Sequence, residues 1–205
     1  MNRIKFVTSN RAKAVHSAAI LSQCGIQLSW LAADDIPELQ AENSTEVVLA
    51  KATAAWDRYG DDVPLLVADS SFHIDALNGW PGANVKWATR DLGVEGYLRL
   101  MKPWPRPDQR SCQFVDSMAC VYGPASHQRR VFVRKVAGCL STTAAEKIES
   151  SGPRYSQLWR IFILAGYSVT IAEMDDPTLR AFRSRPGIAT AYHELAAWLK
   201  SLPPN

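Results

Sequence analysis

The sequence has 205 residues, of which 47% are hydrophobic, 21% charged and 9% aromatic, so it can bury a full core without external staples. Its 23 basic and 20 acidic residues give a net charge of +3, which argues against a protein that binds a nucleic-acid polymer. We find no apolar run of the ~20 residues that a transmembrane helix needs and no signal peptide. We therefore expect a cytoplasmic protein without a membrane contact, formed over residues 1–205 by one domain or by two lobes that share a core.

Cysteine and histidine spacing gives no sign of a structural metal or of a nucleophile. The four cysteines (Cys24, Cys112, Cys120 and Cys139) lack CxxC spacing, which favours reduced, mostly buried thiols without a disulfide. The histidines show no metal-binding spacing, and neither a GxSxG motif nor a P-loop occurs. Nucleophilic catalysis is therefore poorly supported.

The first half of the chain predicts repeated units of strand, polar loop and helix. Residues 3–8 alternate as in a strand, and residues 11–25 carry apolar side chains at helical spacing up to a glycine. The same order recurs over residues 26–60. A short apolar strand over residues 64–71 then ends in the polar residues 69–71, with a further strand or bend behind it.

The second half adds a predicted hairpin and more helices. In chain order we expect a helix over 94–102, a loop over 102–109, an antiparallel strand pair over 112–123 and 129–141, a loop over 150–160, a strand over 161–166, an acidic turn over 172–177 and a helix over 188–202. Strands and helices that alternate around a hairpin predict a mixed α/β (α+β) fold.

The first polar group lies where the first strand gives way to the first helix. It consists of Thr8, Ser9, Asn10 and Lys13. The start of a helix offers backbone N–H groups that bind phosphate, and a nearby ammonium strengthens that preference. Taken alone, ordinary helix capping by Ser9 or Asn10 is the favoured explanation.

Acidic residues form two further groups that suit a metal. Glu38 precedes Gln40, Glu42 and Glu46 in a loop before the second helix, which carries Lys51. Mg²⁺ takes oxygen ligands and needs few protein carboxylates when phosphates complete its shell. A solvated acidic loop explains the first group equally well. In the second group, Asp69 with Ser70 and Ser71 either holds a metal or water or simply forms a turn.

A cation lies next to aromatic side chains in the stretch Trp80-Pro81-Gly82 with Lys86, Trp87 and Arg90. A tight turn of this kind holds an anion or only packs on the surface. Further on, strand alternation places Arg134 and Lys135 on opposite faces. At most one of these two therefore points into any pocket.

In this order, the polar stretches resemble those of the inosine triphosphate pyrophosphatase family. The resemblance spans nearly the whole chain, and the ordered set is specific although each stretch alone is weak. Its parts are FVTSNRAK (6–13), DIPELQAE (35–42) with Lys51 beyond it, VADSSFHIDALNGWPGANVKWA (67–88), VEGYLRLM (94–101), GYSVTIAEM (166–174) and Arg185.

The resemblance implies an elongated, two-lobed fold in which a central bent mixed sheet and flanking helices surround a deep cleft, assembled as a homodimer. It implies Mg²⁺-dependent attack of water on the α–β linkage of a nucleoside triphosphate, giving the monophosphate and pyrophosphate. Carried over by residue, it implies catalytic roles for Asp69, Lys13 and Lys51, phosphate contacts from Thr8, Ser9, Asn10, Lys13, Ser70 and Lys86, and metal binding by Glu38 and Asp69.

The part of the sequence that corresponds to base recognition departs from the family pattern. An aromatic-glycine-aromatic-aspartate-proline motif is replaced by RYSQLWRIF at 154–162, and of a Ser-His-Arg run at residues 183–185 only the arginine, Arg185, is kept. We expect Tyr155, Trp159, Arg183 and Arg185 to bind the base, with lid packing as the alternative. Because selectivity depends on paired polar groups, we predict a base preference altered from inosine and xanthosine triphosphates.

A further departure leaves two other functions open. The acidic pair of the central family motif is reduced to Ala68-Asp69, and the following glycine is Ser71. A nucleotide-binding or regulatory protein with impaired catalysis is therefore the main alternative to an active pyrophosphatase. An enzyme of related fold that acts on nucleoside mono- or diphosphates is the third possibility.

Overall fold

The computed structural model describes residues 1–37, 44–123, 128–146, 156–183, 185, 188 and 190–202. In these ranges the strands are β1 (Arg3–Val7), β2 (Gln27–Leu31), β3 (Leu65–Ile74), β4 (Pro81–Gly82), β5 (Ser111–Tyr122), β6 (Gln128–Leu140) and β7 (Phe162–Leu164). The α-helices are α1 (Arg11–Gln23), α2 (Ser44–Tyr59), α3 (Val85–Leu100), α4 (Asp176–Arg183) and α5 (Thr190–Ser201). None of these helices is long and apolar enough to cross a membrane.

The described strands form one mixed sheet of seven strands in the order β2-β1-β3-β5-β6-β7, with β4 paired to β3. Strand β1 runs parallel to both β2 and β3, whereas β4 is antiparallel to β3 and β7 to β6. Helices α1 and α2 follow parallel strands, as crossover connections require. The predicted mixed α/β fold is confirmed.

The chain divides into two compact units. Unit 1 comprises Met1–Asp69, Asp116–Arg134 and Ala189–Asn205, and unit 2 comprises Ser70–Val115 and Lys135–Ile188. Each unit contains its own buried cluster or clusters of apolar side chains.

In unit 1 the two faces of the strands bury different helices. Ile4 and Phe6 of β1 point into a cluster with α1 and α5, and Val7 points into a second cluster with α2. In β3, Leu66 belongs to the first cluster and Val67 to the second. This alternation follows from the two-residue period of a strand, and it identifies the face of every neighbouring side chain.

The core of unit 2 is aromatic. Phe72, Phe114 and Phe162 pack with ring centroids 4.5 to 5.9 Å apart. The buried Arg110 guanidinium donates to four backbone carbonyls, those of Met101, Trp104, Leu140 and Ser141, over 2.6 to 2.9 Å. These bonds fix the chain after α3 to the end of β6, because a buried guanidinium without acceptors is costly.

Two element predictions in the middle of the chain were wrong in extent. Strand β3 does not end at residue 71 but continues to Ile74, because ladder pairing such as Phe72 with Gly82 carries it past its polar residues. Helix α3 begins at Val85, nine residues before the predicted start, and breaks at Gly93, whose φ of 59° glycine adopts without strain. The unrecognised first part of this helix contains Lys86.

The predicted acidic turn also begins a helix. The Oδ1 atom of Asp175 accepts a hydrogen bond from the amide of Thr178 over 2.8 Å, and its carbonyl accepts one from the amide of Leu179 over 3.0 Å. Asp175 therefore caps α4, with Pro177 in the first turn where its missing N–H costs nothing. Part of the predicted loop before β7 is a 3₁₀ helix, Gln157–Arg160.

Candidate active site

Two of the predicted polar groups belong to neighbouring parallel strands of unit 1. Lys5 of β1 pairs with Leu65 of β3, and Phe6 pairs with Leu66. The first group follows the carboxyl end of β1, whereas Asp69 lies within β3. Ligands of α/β sheets bind beyond the carboxyl ends of the strands, where the loops to the helices begin.

The β1–α1 turn is held by three hydrogen bonds. Asn10 caps α1, its Oδ1 accepting from the amide of Lys13 over 3.1 Å, and Thr8 Oγ1 accepts from the amide of Asn10 over 3.1 Å. The indole N–H of Trp30 on β2 donates to the carbonyl of Thr8 over 2.8 Å. Helix capping by Asn10 is thus confirmed, and Ser9 is exposed. A capped helix start still presents first-turn amides and the positive end of its dipole to an anion.

Lys51 lies on the side of α2 that faces the sheet. Val47, Lys51 and Ala55 follow one another at spacings of four residues, and both flanking residues are buried. Helix α2 packs on the sheet face that contains Val67, and Asp69, two residues further, points to that same face. Lys51 and Asp69 therefore lie on one side of the sheet.

Asp69 has the chemistry of a ligand for a hard cation. Its carboxylate is half-buried, and hydrogen bonds from the described residues do not satisfy the buried Oδ2 atom. Within the same residues no group of three or more His, Cys, Asp or Glu side chains is placed to hold a metal. The Asp69 carboxylate suits Mg²⁺, which binds one or two protein carboxylates and completes its shell with phosphate oxygens. Glu38 and its polar neighbours Gln40 and Glu42 lie outside the described residues.

In unit 2, the residues that follow Asp69 on β3 have internal contacts. Strand alternation places Ser70 on the face opposite Asp69. The hydroxyl of the buried Ser71 donates to the carbonyl of Val115 over 3.3 Å and lies 2.9 Å from Nε2 of His73. Ser71 thus has a structural contact at the position where the family pattern has glycine.

Lys86 lies at the start of α3 beside an exposed tryptophan. Its Nζ is 5.1 Å from the centroid of the Trp87 ring, and Cζ of Arg90 is 4.6 Å from the same centroid. Arg90 also forms an ion pair with Asp91 at 2.7 Å. Two cations therefore share one aromatic ring on the surface of unit 2.

Two of the predicted base-binding residues lie together in unit 2. Cζ of Arg183, at the end of α4, is 6.0 Å from the ring centroid of Trp159. Arg185 instead lies over Tyr167, at 5.0 Å, and Tyr167 packs edge-on against Phe182. Tyr155 lies outside the described residues. Each arginine is thus paired with an aromatic ring that offers a stacking surface.

Sequence reasoning gave no role to Trp30, which belongs to none of the quoted stretches, or to Tyr167, which lies within the stretch 166–174. The pairing of β1 with β2 was the available signal for the contact of Trp30 with Thr8. Trp30 pairs with Phe6, which lies two residues before Thr8. Nucleophilic thiols gain no support, because burial raises the pKa of Cys112 and Cys120 and keeps both protonated at neutral pH.

Comparisons with known proteins identify the family and the fold. The model of the Ham1 family matches residues 4–197. A dITP/XTP pyrophosphatase of Ignicoccus hospitalis is 30% identical over 197 residues, 96% of each chain. An inosine triphosphate pyrophosphatase of Tuber melanosporum is 36% identical over 119 residues, covering 58% of this chain and 61% of the relative. The solved HAM1 protein of Coxiella burnetii has the same fold, with a TM-score of 0.73 and 19% identity over 98% of this chain and all of that one.

Proposed function

The chain belongs to the Ham1 family, and on that premise we propose that it hydrolyses a nucleoside triphosphate to the nucleoside monophosphate and pyrophosphate. Relatives that span nearly all of this chain are named as pyrophosphatases of dITP and XTP. The observation that supports the proposal is the parallel pairing of β1 with β3, because α1 follows the first strand and Asp69 lies on the second. We propose that the start of α1 and the Asp69 carboxylate act on one triphosphate.

The residues of unit 1 divide the chemistry between them. First-turn amides of α1 and the Lys13 ammonium bind the β- and γ-phosphates, and Lys51 adds positive charge from α2. Asp69 orients the attacking water and receives its proton. The water oxygen bonds to the α-phosphorus while the bond to the bridging oxygen breaks, and the electron pair leaves on pyrophosphate. Charge that builds on this leaving group is stabilised by the same amides and lysines.

We propose Mg²⁺ as the cofactor, held by Asp69 and Glu38. When bound, it neutralises phosphate charge and polarises the phosphoryl oxygens. The two oxygens of the Asp69 carboxylate allow one to face the cation and the other the water. We propose further phosphate contacts from Thr8, Ser9, Ser70 and Lys86. We also propose that the protein is a homodimer, which light scattering coupled to gel filtration would test.

The preferred base is proposed to differ from inosine and xanthosine. The reason is the pair of arginine–aromatic contacts in unit 2, Arg183 over Trp159 and Arg185 over Tyr167. Trp159 and Arg183 occupy sequence positions where the family pattern has a different aromatic motif and the serine of a Ser-His-Arg run, whereas Arg185 matches the arginine of that run. A changed set of donors at a base edge changes the preferred substrate more readily than it abolishes phosphate chemistry.

Product analysis tests the reaction class. Wild-type protein is incubated with ribo- and deoxyribonucleoside triphosphates in Mg²⁺ or in EDTA, and pyrophosphate and inorganic phosphate are assayed separately. We expect pyrophosphate and monophosphate in equal amounts, in Mg²⁺ only. Release of inorganic phosphate would contradict cleavage at the α–β linkage, and tight nucleotide binding without turnover would favour the binding-protein alternative.

A further inference from the structure

A buried polar cluster of unit 1 lies outside the proposed chemistry. Nε of Arg134 on β6 donates to Oδ2 of Asp116 on β5 over 3.0 Å, and Nη2 contacts the same oxygen. Each side chain is only 9% exposed. Because Met118 and Cys120 alternate into the cluster with α1 and α5, Asp116 points to the α1 side of the sheet.

This ion pair reaches helix α1 through His16. Nη1 of Arg134 lies 3.4 Å from Nε2 of His16. A guanidinium has only donors, so this Nε2 accepts and the ring proton lies on Nδ1. The His16 ring packs edge-on against Tyr192 of α5 at 5.9 Å, and the Tyr192 hydroxyl lies 3.1 Å from Oγ of Ser17.

The cluster is one helical turn from the proposed phosphate site. His16 and Ser17 follow Lys13 by three and four residues, so they share its side of α1. In this half of the helix the buried side chains are small, namely Ala12, Ala14 and Ser17, and the larger Ile20 and Leu21 come later. Small apolar contacts define a helix position weakly, whereas directional hydrogen bonds define it well.

We propose that Arg134, held by Asp116, is a positioning residue that acts through His16 to fix the first turns of α1. The proposal rests on the proposed function, because it gives Asn10 and Lys13 their placement for the phosphate chain. A buried ion pair rarely adds net stability over apolar packing. Its fixed geometry is what this helix requires.

A pair of His16 variants separates positioning from packing. His16→Phe keeps a ring against Tyr192 but removes the acceptor for Arg134, and His16→Gln restores an acceptor near the Nε2 position. We expect His16→Phe to raise KM for the triphosphate and the inhibition constant for pyrophosphate about 5- to 10-fold, with kcat changed less than about twofold. His16→Gln stays within about twofold of wild type on every constant.

The matched control is His193→Phe, which removes an exposed histidine of α5 and leaves all constants unchanged. In a second variant, Asp116→Leu with Arg134→Leu replaces the ion pair by apolar side chains, which preserves folding. Its thermal midpoint stays near that of wild type while KM rises as in His16→Phe. Unchanged KM and pyrophosphate inhibition in these folded variants would overturn the proposal, as would equal losses in His16→Phe and His16→Gln.

Calorimetric binding of Mg-pyrophosphate distinguishes this proposal from the proposed function, because it needs no turnover. If wild type binds pyrophosphate but hydrolyses no triphosphate, the proposed function fails and the affinity of His16→Phe still decides the positioning role. If wild type hydrolyses and His16→Phe binds pyrophosphate equally well, only the positioning role fails. Absence of both turnover and binding in wild type overturns both.

Discussion

The residues proposed to bind phosphate and those proposed to bind the base are held in different ways. In unit 1, Asn10 and Lys13 take their places from a capped helix start, and Asp69 takes its place from β3, which pairs with β1. In unit 2, the arginines over Trp159 and Tyr167 extend from a short helix and the turn behind it. Main-chain geometry therefore controls the phosphate side, and individual side chains control the base side.

This difference indicates which of the two sets of residues tolerates substitution. A helix start and a strand edge persist through many side-chain substitutions, because backbone hydrogen bonds define them. When a site consists of an arginine stacked on an aromatic ring, substitution of the arginine alone changes the hydrogen-bond donors of that site. We therefore expect the phosphate-binding residues to follow the family pattern and the base-binding residues to differ from it.

The largest effect is expected from Asp69→Asn, which removes the proton acceptor while preserving size and shape. We expect kcat to fall by about 10²- to 10⁴-fold on every nucleotide, with an unchanged thermal midpoint. Pyrophosphate release and thermal denaturation measure the two quantities. The matched control is Asp57→Asn, an exposed carboxylate of α2, and wild-type turnover of Asp69→Asn would refute the role of Asp69.

Lys13→Ala is next, since it removes a charged contact to the phosphates. We expect KM to rise about 10- to 100-fold, by the same factor for every base. Steady-state kinetics on at least two nucleotides measure this factor. Arg3→Ala removes a cation from the opposite end of β1 and leaves KM unchanged. A factor that depended on the base would break the separation between the two sides.

Trp159→Ala and Arg183→Ala test the base side. Each is expected to change the ratio of kcat/KM between two bases by about tenfold, because the stacking surface or its cation is lost. Arg180→Ala, on the same helix as Arg183, leaves the ratio unchanged. Equal loss on every nucleotide would instead assign these residues to a lid or to folding.

The smallest effect concerns Trp30→Phe, which removes the indole N–H that holds the carbonyl of Thr8. We expect KM to rise about 2- to 5-fold with kcat unaltered, because one hydrogen bond to the turn is lost. Trp198→Phe, at the edge of the α1–α5 cluster, serves as the control. A change in base preference would show that Trp30 acts on more than the turn.

Local sequence rules predicted β1 and α1 well. The alternation of β1, the Asn10 cap and the apolar spacing of α1 all depend on neighbouring residues, so they can be recognised in a short window. The extent of β3 could not, because partners distant in sequence carry a strand past polar residues. Two helix segments were not predicted either. They are the first part of α3, which ends at the break at Gly93, and α4, which follows the Asp175 cap in a polar turn.

Side-chain contacts between elements that are distant in the chain could not be predicted from the sequence. Nothing local to Trp30 indicates that it donates to Thr8, and Arg134 contacts Asp116 and His16 across 18 and 118 positions. Such contacts depend on tertiary packing, which periodicity and capping rules do not contain. The prediction that Arg134 and Lys135 lie on opposite faces is nevertheless confirmed, with Arg134 buried and Lys135 exposed.

The most direct test of a kept phosphate site beside an altered base site is the set of kcat/KM values of the wild-type protein. Pyrophosphate release is measured in Mg²⁺ for ITP, XTP, dITP and the common ribo- and deoxyribonucleoside triphosphates. We predict metal-dependent release, with at least one other triphosphate used better than ITP and XTP. A clear preference for ITP and XTP would contradict the altered base site, and no turnover of any triphosphate would contradict the kept phosphate site.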